Sequence, residues 1–266
     1  MMKRVICILA VALMAGSAGA DLVAHYDFEA GQGDTVFDQA PSPANGTRTG
    51  FADVKPAWST DAAMGNYSMQ FFHPTEGDAG SSSNPGNNWV DAGAAGKFEI
   101  TEAISIAAWL KHDGVATSTQ YVASKWDDGA WRLRLRSTNT SLRLATAGSE
   151  MSAEIDLSDG GWHHFVMTYD SADGGVGTVY IDNELVTTDT GLSGSISAGG
   201  GTLFLGAKST GGSDVFSGSI DDFGIWNHAL SEGEIDGIYS NGIPEPATML
   251  LIGLGAPALL RLRRKA

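Results

Sequence analysis

Residues 154–170 read EIDLSDGGWHHFVMTYD, and the fold turns on how that line is divided. Taken as chemistry, Glu154, Asp156 and Asp159 supply three carboxylates, with His163 and His164 close behind. Taken as structure, it is a strand, a turn and a strand. Neighbouring residues on a strand point to opposite faces. Trp162, His164, Val166 and Thr168 then share one face, and His163, Phe165, Met167 and Tyr169 the other. On that division the two histidines do not bind one metal together. Asp159 heads an Asp-Gly-Gly turn, where an aspartate is expected for its hydrogen bonds to backbone alone.

Outward from this line, short alternating or apolar runs recur on both sides. They are 22–28, 67–72, 104–111, 120–126, 131–137, 141–146, 162–169, 176–182, 202–207 and 216–226, separated by Gly, Asn, Asp and Ser. Many short strands with regular turn signals predict an all-β sandwich or barrel. Glycine takes 35 of 266 positions, nearly twice its usual share of about 7%, which suits tight turns. One helix is predicted over 231–239, with Ser231 as its cap and Glu234 three residues on, a capping box.

The two ends differ from the body. Residues 1–20 carry Lys3 and Arg4, an apolar stretch from Val5 to Met14, and small residues at Ala18-Gly19-Ala20. That order predicts a secretory signal peptide, with the mature chain starting near Asp21. At the other end, 243–266, Pro244-Glu245-Pro246 precedes an apolar run from Ala247 to Leu260 and then Arg261, Arg263, Arg264 and Lys265. The run is shorter than the roughly 20 apolar residues of an ordinary spanning helix. Positive charge beyond it would hold that end in the cytoplasm. The three parts resemble the bacterial PEP-CTERM sorting signal. The resemblance implies a membrane protease of the exosortase type as a partner, and a Gram-negative envelope, cell surface or extracellular matrix as the destination. A plain tail anchor predicts the same orientation without cleavage.

Six of the 16 basic residues and one of the 31 acidic residues lie in these ends. The 21–243 body therefore has 10 basic and 30 acidic residues, a formal charge of −20. Such a body repels nucleic acid and anionic lipid, leaving membrane contact to the tail alone. Cys7, the one cysteine, falls in the signal segment, so the body is held without disulfides. About 220 residues suffice for one substantial core, and 21–242 is expected to be a single domain.

Five blocks of the body carry a further resemblance. HYDFEAGQGDTVFDQAPSPANGT (25–47), AISIAAWLK (103–111), GGWHHFVMTYD (160–170), VYIDNELV (179–186) and GSIDDFGIWNHALSEGEIDGIY (218–239) resemble, in the right order, LamG-like jelly-roll domains of the concanavalin A-like group. The resemblance implies a two-sheet antiparallel jelly-roll sandwich with a short C-terminal helix. Asn183-Glu184 stands for the usual Asp-Gly of the hairpin turn, and the 38–47 loop lacks the family's density of Gly and Asn. The family also implies a structural Ca²⁺ where first and last strands meet. Calcium takes six to eight oxygen ligands. Asp27 and Glu29 of the first strand, Asp38 and Asn45 of the loop after it, and Asp221 and Asp222 of the last strand are the candidates. By alternation Asp221 shares a face with Phe223 and Ile225, so it is either inward and paired or a metal ligand.

Two further readings concern ligands. Laminarinase-type glycoside hydrolases share the sandwich, and their catalytic strand carries E-I-D-x-x-E. Glu154-Ile155-Asp156-Leu157-Ser158-Asp159 ends on Asp where the second catalytic Glu belongs, and a retaining mechanism needs carboxyls about 5–5.5 Å apart. Glu154 and Asp159 remain the candidate pair if the chain is an enzyme. In 131–136, by contrast, Trp131, Leu133 and Leu135 alternate with Arg132, Arg134 and Arg136, and Arg143 follows in the next strand. The pattern predicts a hairpin with an apolar inner face and four arginines outside. Arginine forms bidentate pairs with carboxylates and sulfates, which suits an acidic polysaccharide or matrix glycan. Cross-strand pairing with Glu150 or Glu154 gives the same pattern without a ligand. Trp126 and Trp131 are the nearby aromatic candidates, with Trp58 a weaker one. The expected function is an exported, non-enzymatic carbohydrate- or matrix-binding module. A glycoside hydrolase, and a structural surface protein without a discrete ligand, are the alternatives.

Overall fold

A computed structural model describes residues 22–51, 54–72, 87–114, 119–125, 130–136, 141–146, 149–172, 174–209 and 214–245. The signal-like segment, Trp126, Pro246 and the apolar tail lie outside these residues. No helix among the described residues is long and apolar enough to cross a membrane. In chain order the strands are β1 (Leu22–Tyr26), β2 (Thr35–Val36), β3 (Gly46–Gly50), β4 (Ala57–Ser59), β5 (Ser68–Phe71) and β6 (Asn88–Asp91). They continue with β7 (Ala103–His112), β8 (Thr119–Lys125), β9 (Trp131–Arg136), β10 (Ser141–Thr146) and β11 (Glu150–Glu154). The last are β12 (His163–Asp170), β13 (Val176–Ile181), β14 (Glu184–Asp189), β15 (Phe204–Leu205) and β16 (Gly218–Trp226), with one helix, α1 (Glu232–Asn241).

These strands form two antiparallel sheets. The first has the order β14-β13-β12-β7-β16-β5-β4, with β1 also paired to β16; the second runs β11-β10-β9-β8-β15-β6-β3-β2. Each of the ten runs read from the sequence contains a strand. The main core fills the space between the sheets. Phe165, Met167 and Tyr169 of β12 and Trp131, Leu133 and Leu135 of β9 all belong to it, each at most 2% exposed. The alternation read in both strands is therefore the one that folds. At about 25 cal/mol per Å² of apolar surface, each such side chain contributes roughly 1.5–3 kcal/mol.

The outer face of the first sheet is covered by α1. Ile235 and Ile238 pack with Leu230 and Ile243 onto Ala107, Val166, Tyr180 and Trp226. The helix starts where the capping box places it, since Ser231 N–H donates to Glu234 Oε2 at 2.8 Å. A smaller cluster of Trp89, Phe204, Ala207 and Val215 lies on the second sheet. That sheet's outer face carries no helix among the described residues, and it is where the arginine hairpin faces.

The structure departs from the sequence pattern at two places. The β13–β14 turn is made by Asp182 and Asn183, at φ of 50° and 67°, with Ile181 opposite Glu184. Both central residues are left-handed, as a two-residue hairpin with right-handed strand twist requires. The turn is therefore one residue earlier than Asn183-Glu184. In β16 the register shifts between Asp221 and Gly224, and Asp222 adopts φ 44°. This bulge breaks the alternation. Ile220 and Phe223 both reach the main core, while Asp221 lies opposite Trp109, whose ring stacks under α1. Asp221 thus does not share a face with Phe223.

Candidate functional site

The arginine hairpin forms as read. Arg143 stands directly across from Arg134, with Ser141 opposite Arg136 and Ala145 opposite Arg132. On the next strand Glu150, Ser152 and Glu154 face Ala145, Arg143 and Ser141 in turn. One face of three strands thus carries four guanidinium groups, with Arg134 buried and Arg132, Arg136 and Arg143 half-buried, against two carboxylates. Glu150 bridges two of them, accepting from Arg134 Nη2 at 2.5 Å and Arg143 Nη1 at 2.7 Å. Burial pushes the Glu150 carboxyl up, but these arginines outweigh it and hold it below its usual value. Arg134 Nη1 also donates to the Tyr121 hydroxyl at 3.5 Å. Arg132 is lowered by burial and by the neighbouring Arg134 charge. Like charges brought together in this way favour an anion. Trp131, at 0% exposed, belongs to the core and not to this face.

The opening line resolves into the strand, turn and strand. Glu154 ends β11 exposed, beside the arginines. Asp159 sits in the following turn, where its Oδ1 accepts the Gly161 N–H at 2.8 Å. Asp156 accepts from Ser158 N–H in the same manner. His163 joins two turns, contacting Asp182 Oδ2 at 2.7 Å and Asp159 Oδ1 at 3.2 Å. The Gly161 amide and His163 hold Asp159 below the usual carboxylate value. A general acid must keep its proton near the working pH, so Asp159 is set up for the opposite state. Its bonds are those of a turn. His164 points away under α1, so the two histidines part as alternation predicts.

The residues named for calcium are distributed over separate hydrogen-bond sets. Asp27 accepts the Glu29 N–H at 3.1 Å and Gln39 Nε2 at 2.8 Å. Glu29 accepts the amides of Asn66 and Tyr67 and the Asn66 side chain at 2.8–3.0 Å. Asp38 accepts amide hydrogens from His25, Ala40 and Ala44 at 2.8–3.0 Å, and also the Lys97 ammonium. Asn45 Oδ1 accepts the Asp38 N–H. At the last strand, Asp221 accepts the amides of Ala63, Met64 and Asp222. Asp222 accepts from Ile243 N–H and contacts His25 Nε2 at 2.7 Å. Burial drives Asp221 up to about 7 against those three amides. Among the described residues no three of His, Cys, Asp and Glu come together in a set able to hold a metal ion. Oxygens occupied by N–H donors and an ammonium do not fit the oxygen-rich shell calcium needs.

Some residues of these sites carried little sequence signal. Tyr121 and Lys97 meet their partners through the fold, across 13 and 59 positions. Trp58 is tied to the β2 side, its Nε1 donating to Gly33 O at 3.0 Å with the Arg48 guanidinium 5.4 Å from its ring. Pro244 and Glu245 are exposed directly after the buried Ile243.

Two packed antiparallel sheets with one capping helix define a jelly-roll sandwich of the concanavalin A type. Residues 84–236 match the Laminin_G_3 profile, described as the concanavalin A-like lectin/glucanases superfamily, and the chain belongs to that family. Among curated proteins, it is 30% identical over 158 residues to the mouse protein "Sushi, von Willebrand factor type A, EGF and pentraxin domain-containing protein 1", covering 56% of this chain and 4% of that one. It is 32% identical over 147 residues to mouse pentraxin-related protein PTX3, covering 50% and 38%. The chain thus spans well under half the length of these relatives. Among solved structures, domain 4 of the extracellular arabinanase AbnA from Geobacillus stearothermophilus, in complex with arabinotriose, superposes with a TM-score of 0.60. The identity is 18%, over 83% of this chain and 99% of that one. The binding domain of botulinum neurotoxin DC, in complex with rat synaptotagmin II, gives 0.58 at 12% identity over 83% and 51%. At these identities the two structures show the shared fold.

Proposed function

We propose that this chain is an exported, non-enzymatic carbohydrate-binding module that holds an acidic polysaccharide against the outer face of its second sheet. The observation that carries the reading is the four-arginine face of β9 and β10. It concentrates four of ten basic residues on two adjacent strands of a body with 30 acidic ones. Glu150 engages two of the four, and the face keeps a positive balance. Guanidinium groups match uronate carboxylates and sulfates in geometry as well as charge. A complex with arabinotriose on the same fold supports a sugar as ligand. So does the similar fold in botulinum neurotoxin type C, whose cell entry is described as dependent upon interaction with two ganglioside molecules.

The N-terminal segment and the Pro244-Glu245-Pro246 tail support delivery to the surface or matrix of a Gram-negative cell, with an exosortase-type protease removing the tail. Mass spectrometry of the surface protein would find 244–266 missing; an intact tail would favour a permanent anchor.

The binding test is a glycan array carrying uronate, sulfated and neutral polysaccharides, with the Arg132→Gln/Arg136→Gln double variant beside the parent protein. Binding to the acidic glycans is expected to fall at least about tenfold, from the loss of charge-assisted hydrogen bonds, while the melting temperature is kept. Unchanged binding would remove the arginine face from the function. Sugar released from β-glucan and lost on Glu154→Gln would instead favour a hydrolase.

A further inference from the structure

We infer that Lys97 supplies, from the chain itself, the cation that closes the 38–45 loop, so that this part of the sandwich is built without a divalent ion. Asp38 is the centre of the loop. Its side chain is fully buried, at 0% exposed, and gathers three amide hydrogens from His25, Ala40 and Ala44. Those bonds tie β1 to both ends of the loop, and Asn45 returns a bond to the Asp38 amide. A buried carboxylate this deep requires a compensating charge. The Lys97 ammonium meets Asp38 Oδ2 and donates to Ser42 O at 2.7 Å. It also lies 5.2 Å from the centre of the Phe98 ring.

Carboxylate, carbonyl oxygen and aromatic face form a setting for an ammonium, not for calcium. Calcium gains nothing comparable from a ring and wants six to eight oxygens. The short 3-10 turn Gly96–Phe98 places both Lys97 and Phe98, with Phe98 buried in the main core. The tethered cation is therefore fixed by the fold. This inference concerns stability and stands apart from the glycan reading.

The test is thermal unfolding of the full chain body in calcium chloride and in EDTA, for the parent, Lys97→Met and Lys97→Arg. The parent is expected to melt at the same temperature in both solutions. Lys97→Met keeps the apolar stem and should melt about 5–10 °C lower, as expected when one member of a buried pair is removed. Lys97→Arg keeps the charge and should recover most of that loss. A parent that calcium stabilises over EDTA would overturn the inference, as would a Lys97→Met variant that melts like the parent. If Lys97→Met does not fold, the parent's calcium response and the Lys97→Arg melt still decide it.

Discussion

The imidazole of His164 lies 5.0 Å from the indole of Trp109, centre to centre, and Tyr239 of α1 lies 5.6 Å from the imidazole. Among the described residues neither nitrogen of His164 has a hydrogen-bond partner, and the residue is 1% exposed. Burial lowers its pKa to about 4, against the opposing pull of Asp222 and Asp182. The unfolded chain takes up a proton on this histidine near pH 6.5, and the folded protein does not until about pH 4. Stability from this group is complete above pH 6.5 and is lost as pH falls through that window. At about 1.36 kcal/mol per pKa unit, the loss at pH 4.5 is between about 2 and 3 kcal/mol. His164→Phe keeps an aromatic ring between Trp109 and Tyr239 and cannot titrate. Urea unfolding at pH 7.5 and 4.5 should show the difference between the two shrink by about that amount.

Asp221 acts in the same window with the opposite sign. Its folded value near 7 lies above the ordinary 3.8, so its contribution is complete below pH 3.8 and falls as pH rises toward 7. Its larger role is local. Asp221→Ala leaves the amides of Ala63, Met64 and Asp222 without their acceptor. Each orphaned buried donor costs about 1–3 kcal/mol, so a fall in melting temperature of several degrees is expected. Hydrogen exchange should speed up at Ala63 and Met64 in particular. Unchanged protection there would mean the loop is held by something other than this carboxylate.

How much of this was legible depended on whether the signal was local. The β9 and β12 faces were readable because strict alternation separates Trp131, Leu133 and Leu135 from the arginines, and Phe165, Met167 and Tyr169 from His164. The α1 start was readable because Ser231 and Glu234 complete their bond within one turn. Alternation alone misplaces Asp221 because it assumes an unbroken strand, and a bulge at a non-glycine residue leaves no local mark. The hairpin turn was shifted because Asp182 and Asn183 both accept left-handed backbone, and strand pairing alone chooses between neighbouring registers. β2 and β4 are two and three residues long, too short for a period to show. The Asp38–Lys97 pair was invisible for another reason. Only the folded sandwich brings positions 59 apart together.

His163 offers a direct probe of the strand-turn-strand at the heart of the sequence. Burial lowers its pKa, but hydrogen bonds and charge from Asp182 and Asp159 outweigh that, so its value stands above 6.5. The stabilisation is complete below pH 6.5 and disappears as pH rises through the folded value. Asp182→Ala removes the nearer carboxylate and also the acceptor of the His164 N–H. Proton NMR titration should then find the His163 value lowered, at or below the ordinary histidine range. A titration curve unmoved by Asp182→Ala would break the link between the two turns.

Glu150 provides the sharpest separation between an arginine face that binds and one that only pairs with itself. Its carboxylate neutralises part of Arg134 and Arg143; Arg134 is buried, while Glu150 and Arg143 are partly accessible to water. Screening limits each pair, so Glu150→Gln should cost no more than about 1 kcal/mol of stability. For an acidic glycan the same change removes a competing anion and frees donor capacity on two guanidiniums. Affinity for uronate or sulfated polysaccharide should therefore rise severalfold, and fall again with added salt as exposed charges are screened. A self-contained ion-pair network predicts the reverse order, with stability lost and no glycan affinity gained. Calorimetric titration of parent and Glu150→Gln at low and high salt distinguishes the two, because the binding face gains affinity from the loss of its own carboxylate.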